Sequence, residues 1–273
     1  MIAPLAAADV IALHDRLLAA TDWPAQEPAP MDAGLWLWIQ TNHRCNCSLW
    51  AEEDLARRTR VADAEIAANK RAIDGFNQAR NDATERVDEL LLEALGLVDP
   101  VSARTDAPRP TVPAHARLSS ETVGSMIDRL SILALKVRAM RVQTARRDVD
   151  AEHRAASAAR LERLLEQRAD LAGCLDDLLA DAAAGRAYFK VYRQFKMYND
   201  PRFNPALVAE RAHGAVPADG DVAREGSAPA GADAACKAER AHGAVPADGD
   251  VAREGSAPAG ADARRATGRG PAR

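Results

Sequence analysis

The chain has 273 residues, 47% of them apolar but only 4% aromatic, with a formal charge of −4 and a pI near 5.9. That length suits one domain of about 200 residues with an appendage, and an apolar set rich in Ala favours close-packed helices over a sheet. The acidic balance excludes generic binding of nucleic acid or anionic membrane by the whole chain, while leaving room for a local basic patch.

Residues 1–18 read MIAPLAAADVIALHDRLL. They lack a basic leader, and Asp9 and His14 interrupt the apolar run, so no secretory signal is expected. No stretch reaches the roughly 18 uninterrupted apolar residues of a membrane span. The four cysteines Cys45, Cys47, Cys174 and Cys236 make no disulfide framework in a chain this long. A soluble, reduced, cytoplasmic protein without a nucleic-acid partner or a membrane span is the expectation.

Apolar spacing of three and four (Val10, Leu13, Leu17) predicts a first helix over 5–20, stopping near Trp23 and Pro24. Asp32 is placed to cap a second helix to about residue 58, with Leu35, Ile39, Leu49 and Trp50 inward. Asp63 opens a third, which runs to Leu95 and stops at Gly96. Residues 98–116 hold four prolines and read as a loop. Thr122 caps a fourth helix to about 148, and a fifth covers roughly 150–184, ending at Gly185. No β-rich runs alternate with these helices, so a parallel sheet is excluded. The fold class is all-α, a bundle of about five to six helices.

The last quarter is a different material. Residues 209–234 read AERAHGAVPADGDVAREGSAPAGADA, and 238–263 repeat these 26 residues letter for letter. Each copy holds two Pro, four Gly and two Val, too little apolar surface to offset the ordering of the chain. The domain plan is thus a helical domain over 1–205 and a disordered, low-complexity tail over 206–273.

Three segments bear the residues of chemistry. In the third helix, Asn69, Asp74, Asn77, Asn81 and Asp82 are poor helix formers where Glu and Lys would serve solubility better. At about 100° per residue, Arg80 falls in the middle of the face made by Ile66, Ile73, Phe76, Ala83, Val87 and Leu91. Lys70, Asp74, Asn77, Asn81 and Asp88 line its edge. A partly buried Arg80 needs partners; a structural polar network and a binding stripe for phosphate or a divalent ion both fit. The fourth helix is apolar around almost its whole circumference, yet Asp128, Arg129 and Lys136 share one flank. Upstream, Glu121 among Ser119, Ser120 and Thr122 suits either simple capping or an anion held at a helix N-terminus.

The third segment, 186–205, reads RAYFKVYRQFKMYNDPRFNP and holds all three tyrosines of the chain. Cations Lys190, Arg193, Lys196 and Arg202 alternate with aromatics, which suits stacking on a base or sugar beside phosphate contacts. A last amphipathic helix with Tyr188, Val191, Tyr192 and Phe195 packed fits as well. Lesser signals lie in the second helix, which carries Asn42, Asn46, and the ion-pair spacing of Glu53 and Arg57. His43, Cys45 and Cys47 are soft-metal ligand types, but their spacing puts the middle one across the helix, which argues against zinc.

The stretches LWAEEDLARR, IAANKRAIDGFNQARNDATERVDE, SSETVGSMIDRLSILALKV and KVYRQFKMYNDPRFNP resemble the bacterial family known as domain of unknown function 4254 (DUF4254), over about residues 5–208. Departures are Val123 where a proline is usual, Phe76 where an aliphatic is typical, and HRCNC before Trp50. The resemblance implies a setting beside glycosyltransferases of cell-surface polysaccharide assembly, without a mechanism.

Three functions are therefore expected of such a chain. The first is binding of a phosphorylated sugar or nucleotide-sugar, with Arg80, Arg129, Lys190, Arg193 and Lys196 on phosphate and Asn77 and Asn81 on sugar hydroxyls. The second is a non-catalytic module docking a glycosyltransferase through the aromatic segment. The third is a pyrophosphohydrolase with Mg2+ as cofactor, taking metal ligands from Glu53, Glu85 and Asp88, with Glu52 and Asp128 as further donors.

Overall fold

The computed structural model describes residues 5–25, 34–195, 197 and 200–212. Six helices make up the described residues: α1 (Ala7–Ala19), α2 (Leu35–Leu55), α3 (Asp63–Leu95), α4 (Val123–Ala145), α5 (Ala151–Ala183) and α6 (Pro205–Ala212). Two two-residue strands, β1 (Arg117–Leu118) and β2 (Ala187–Tyr188), complete them. The fold is an all-α bundle, as the periodicity requires.

Short connections make antiparallel neighbours. The α2–α3 pair is tied by Asn42 to Thr84 at one end and by Asn69 to Glu52 at the other, so the two helices run in opposite directions. α4 and α5 form the second hairpin, and α4 also touches α1, α2 and α3, which makes it the central helix. The core gathers Val10 and Leu13 from α1, Ile39 from α2, Val87 and Leu91 from α3, Ile127 and Leu130 from α4, and Leu175 from α5. α1 is held to α5 by two polar ties: the Ala7 amide donates to Asp176 at 2.8 Å, and Arg168 pairs with Asp15 at 2.9 Å.

Helix ends follow local chemistry. Gly96 closes α3 with φ of 67°, a left-handed conformation that side chains resist. Thr122 caps α4, accepting from the Ser125 amide while the Ser125 hydroxyl accepts from the Thr122 amide. With that reciprocal cap α4 starts at Val123 without a proline at its first position. Asp150 caps α5 by accepting from the His153 amide at 2.7 Å. Gly124, one residue into α4, sits so close to α3 that a Cβ there would lie 2.5 Å from the Thr84 carbonyl oxygen and 2.9 Å from an Asp88 oxygen.

Three expectations need correction, the first being Trp50, expected inward on α2 but 38% exposed. Residues 187–191 are extended, not helical: β2 pairs in parallel with β1, and burial alternates, with Ala187, Phe189 and Val191 inside. Of the four side chains expected to pack there only Val191 is buried; Tyr192 and Phe195 face solvent. The tail expected from 206 onward begins as helix α6, which straddles the proposed boundary. The rest of that tail, and the Asp32 cap, lie outside the described residues. Inside the 98–116 loop a small antiparallel bridge joins Val98 to Pro110.

Candidate functional site

Three helices contribute polar side chains to one buried seam. On α2, Asn42, His43, Asn46 and Cys47 follow a spacing of one, three and one, which puts them on a single stripe; all four are buried. On α3 the stripe is Asn77, Arg80, Asn81 and Thr84, and on α4 it is Asp128 and Ser131. Amides and a carboxylate in an interior must be partnered, and here they partner one another. Oδ1 of Asp128 accepts from Asn42 and from Asn46, each at 2.8 Å. Asn42 also donates to the Thr84 hydroxyl at 3.0 Å, and Asn46 to the Ser131 hydroxyl at 3.0 Å. Ser131 in turn meets His43 Nδ1 at 2.7 Å.

Behind the seam His43 stacks on His14, ring centroids 4.3 Å apart, and on Trp23. Burial holds the His43 imidazole down to about 3, and burial, then the charges of His43 and Arg168, holds His14 well below the usual range. Both are neutral rings. Both ring nitrogens of His14 are buried without a hydrogen-bond partner among the described residues.

The seam opens at Arg80 and Asp128, whose side chains are 26% and 17% exposed. Arg80 Nε stands 3.9 Å from Asp128 Oδ1, an ion pair too long to be a hydrogen bond, and is buried with no hydrogen-bond partner among the described residues. Among the described residues the only side chain that Arg80 hydrogen-bonds is Asn81, weakly, at 3.4 Å. Asn77, one turn earlier on α3, makes no side-chain hydrogen bond among the described residues, and neither does Asp128 Oδ2. Arg80 and Asp128 thus keep donor and acceptor capacity unspent where the seam opens, and Asn77 lies one turn away on α3.

Of the residues expected to bind ligand, Arg80, Asn81 and Asp128 come together here, and Asn77 is linked to them only by its place one turn before Arg80 on α3. Asn81 spends its amide on Gln194 at 2.7 Å, which fastens the segment after β2 to the rim of the seam. Arg193 goes elsewhere: it is held by Glu85 at 2.9 Å, by Glu89 at 2.6 Å, and by the carbonyls of Ala103 and Thr105. It is a structural clamp between α3, the 98–116 loop and the last extended segment. Lys190 lies over the Tyr188 ring at 5.8 Å. Lys70 and Asp74 form an exposed pair one turn apart on α3. Arg129 pairs with Glu121 at the surface, and Lys196 lies outside the described residues.

The acids proposed for a metal do not meet. Glu53 pairs with Arg57 at the end of α2, Glu85 serves Arg193, and Asp88 accepts from the Gly124 amide at 2.6 Å. The α4 N-terminus therefore already holds a carboxylate of the chain itself, which replaces the external anion expected beside Glu121. Burial pushes the Asp88 carboxyl up to about 7, against hydrogen bonds from Thr122 and the Gly124 amide. Among the described residues no group of three or more His, Cys, Asp or Glu side chains is gathered as a metal would need. Cys47 lies 3.9 Å from His43, but burial raises the Cys45 and Cys47 thiols to about 12 and about 11, so neither is a thiolate.

Asn42 and Asn46 were visible in sequence as amides on a helix; what marks them as site residues is their place beside His43 on a buried stripe. Ser131 and Thr84 carried no signal, since a hydroxyl inside an apolar helix is common.

The model of the family described as protein of unknown function (DUF4254) matches residues 36–191, more than half of the chain and narrower at both ends than the resemblance traced from its motifs. No curated protein and no solved structure matches. The matched span runs from α2 through β2 and takes in the whole seam. The chain belongs to the DUF4254 family.

Proposed function

We propose that the chain is a cytoplasmic helical protein that binds a phosphorylated sugar or nucleotide-sugar at the Arg80–Asp128 mouth, in support of cell-surface glycan synthesis. The observation that carries this reading is the underused pair itself. A half-buried guanidinium and a half-buried carboxylate stand 3.9 Å apart without a hydrogen bond between them. Buried ionic groups are stable only when hydrogen-bonded as well as paired. A sugar hydroxyl, donor and acceptor at once, satisfies both: it donates to Asp128 Oδ2 and accepts from Arg80, with Asn77 beside it for a second hydroxyl. A phosphate takes the remaining guanidinium donors of Arg80.

Calorimetric titration with the common nucleotide-sugars tests the proposal. Binding is expected for at least one donor, with Arg80→Gln and Asp128→Asn each weakening it by about tenfold or more, the loss that follows when one partner of a buried polar contact is removed. Silence across the donors overturns it.

A separate observation favours a second reading, a module that docks a glycosyltransferase. Tyr192, Phe195, Met197, Phe203 and Val208 are all exposed along the segment that follows β2. Large apolar side chains gathered on one surface segment mark contact sites. Co-elution with a glycosyltransferase, lost in the Tyr192→Ser, Phe195→Ser double variant, supports it; co-elution unchanged by that variant refutes it.

A further inference from the structure

Between Asp128 and Asp148 the chain carries six cations and no acid, although its overall charge is −4. Four of them, Arg129, Lys136, Arg138 and Arg141, lie on α4, and α5 packs back along it. Lys136 and Met140 are four apart on α4; Arg160 and Leu164 are four apart on α5. Each helix therefore presents a cation one turn from an apolar side chain. Antiparallel packing sets these pairs on the two walls of a cavity of about 360 Å³, and Trp50 of α2 forms a third side. Arg163 stands at the same rim. Lys136, Arg160 and Arg163 are exposed, and none of them forms an ion pair among the described residues. The acids of this part of α5, Glu162 and Glu166, do not line the cavity.

The geometry points to a binding groove for a single-chain anionic amphiphile, its aliphatic chain on Trp50, Met140 and Leu164 and its phosphate or carboxylate head among Lys136, Arg160 and Arg163. Neither the Arg80–Asp128 mouth nor the glycan reading is needed for this. The lining is apolar and the rim is of one sign, which selects a ligand with both characters. The volume is that of a small-molecule cavity, at the lower end of the range, and is too small for a docked helix. A second copy of the chain is a poor occupant, because a two-fold contact there would set the same cations against each other.

The test titrates full-length protein with decyl phosphate below its micelle-forming concentration, read by calorimetry and by tryptophan fluorescence. Decyl maltoside, decyltrimethylammonium and inorganic phosphate are the comparators. Saturable binding of one decyl phosphate per chain is expected, at least about tenfold tighter than any comparator. The triple variant Lys136→Gln, Arg160→Gln, Arg163→Gln is expected to lose about tenfold, the joint effect of three exposed charges that each contribute modestly. All three are surface positions, so its melting temperature should stay at the wild-type value. Trp50→Ala should weaken binding of the decyl chain with the head-group preference kept. Equal affinity for the neutral amphiphile, an unchanged triple variant, response to anionic vesicles alone, or association of the protein into dimers in place of ligand uptake would each overturn the inference.

Discussion

Replacing Gly124 by alanine probes the close approach of α4 to α3. The added Cβ would sit 2.5 Å from the Thr84 carbonyl oxygen and 2.9 Å from Asp88 Oδ1. Carbon needs roughly 3.5 Å from a heavy atom to avoid repulsion, so α4 and α3 must part by about 1 Å. The Thr84 oxygen belongs to helical backbone and cannot swing aside. Overpacking of this kind costs about 1–3 kcal/mol. Parting the helices also stretches the 2.6 Å bond from the Gly124 amide to buried Asp88, which adds about 1–3 kcal/mol if it is lost. A total of about 2–6 kcal/mol corresponds to a fall in melting temperature of roughly 4–24 °C for a domain of this size. Gly75 and Gly173 are the internal controls, being mid-helix glycines with nothing within 4 Å of an added Cβ. Alanine there should stabilise by about 0.5–1 kcal/mol through helix propensity. Thermal unfolding followed by circular dichroism reads all three. A Gly124→Ala protein that melts with or above the wild type refutes the packing argument, and so does a destabilised Gly173→Ala.

Asp88 should give stability an unusual slope with pH. Its folded carboxyl titrates at about 7 against 3.8 for an ordinary Asp, so the folded state holds the proton more tightly and this contribution is lost as pH rises through that window. The gap corresponds to about 4 kcal/mol; Asp88→Asn should gain on the wild type by up to that amount between pH 4 and pH 8 in urea unfolding, and a difference that stays flat contradicts the placement of Asp88. His14 acts in the opposite sense. Its imidazole is held well below 6.5 when folded, so stability is full above 6.5 and falls as the unfolded chain takes up the proton. His14→Phe should remove about 1.4 kcal/mol per pH unit of that decline, measured in the same series; an unaltered acid limb refutes it. Arg193→Met leaves half-buried Glu85 without its cation and buried Glu89 with Arg86 alone, a loss of up to about 3–5 kcal/mol, and should open residues 187–195 to limited proteolysis; a variant that resists the protease as the wild type does refutes the clamp.

The helices were legible because their ends carry chemical punctuation: Gly96 and Gly185 with positive φ, Thr122 and Asp150 with hydroxyl and carboxylate caps. The extended 187–191 segment was missed for a physical reason. Five residues of alternation are too few to compete with aromatics that also fit a helical face, and what fixes them as strand is pairing with Arg117 and Leu118, 70 residues earlier. The site divides in the same way. Arg80 and Asp128 stood out as charges on apolar helix faces, which local periodicity reveals. That Arg193 would be consumed by Glu85 and Glu89, more than a hundred residues distant, depends on how three elements meet, and no local pattern encodes that.

The β1–β2 pairing sets residue 117 beside residue 187, so the whole excursion out along α4 and home along α5 begins and ends at one point, like a handle fixed at its base. Change at the far bend, near residues 146–150, leaves that base untouched. A heptad added to both limbs would lengthen the handle and keep the register of the seam. Relatives should accordingly differ in how far this projection reaches and agree in how it is rooted.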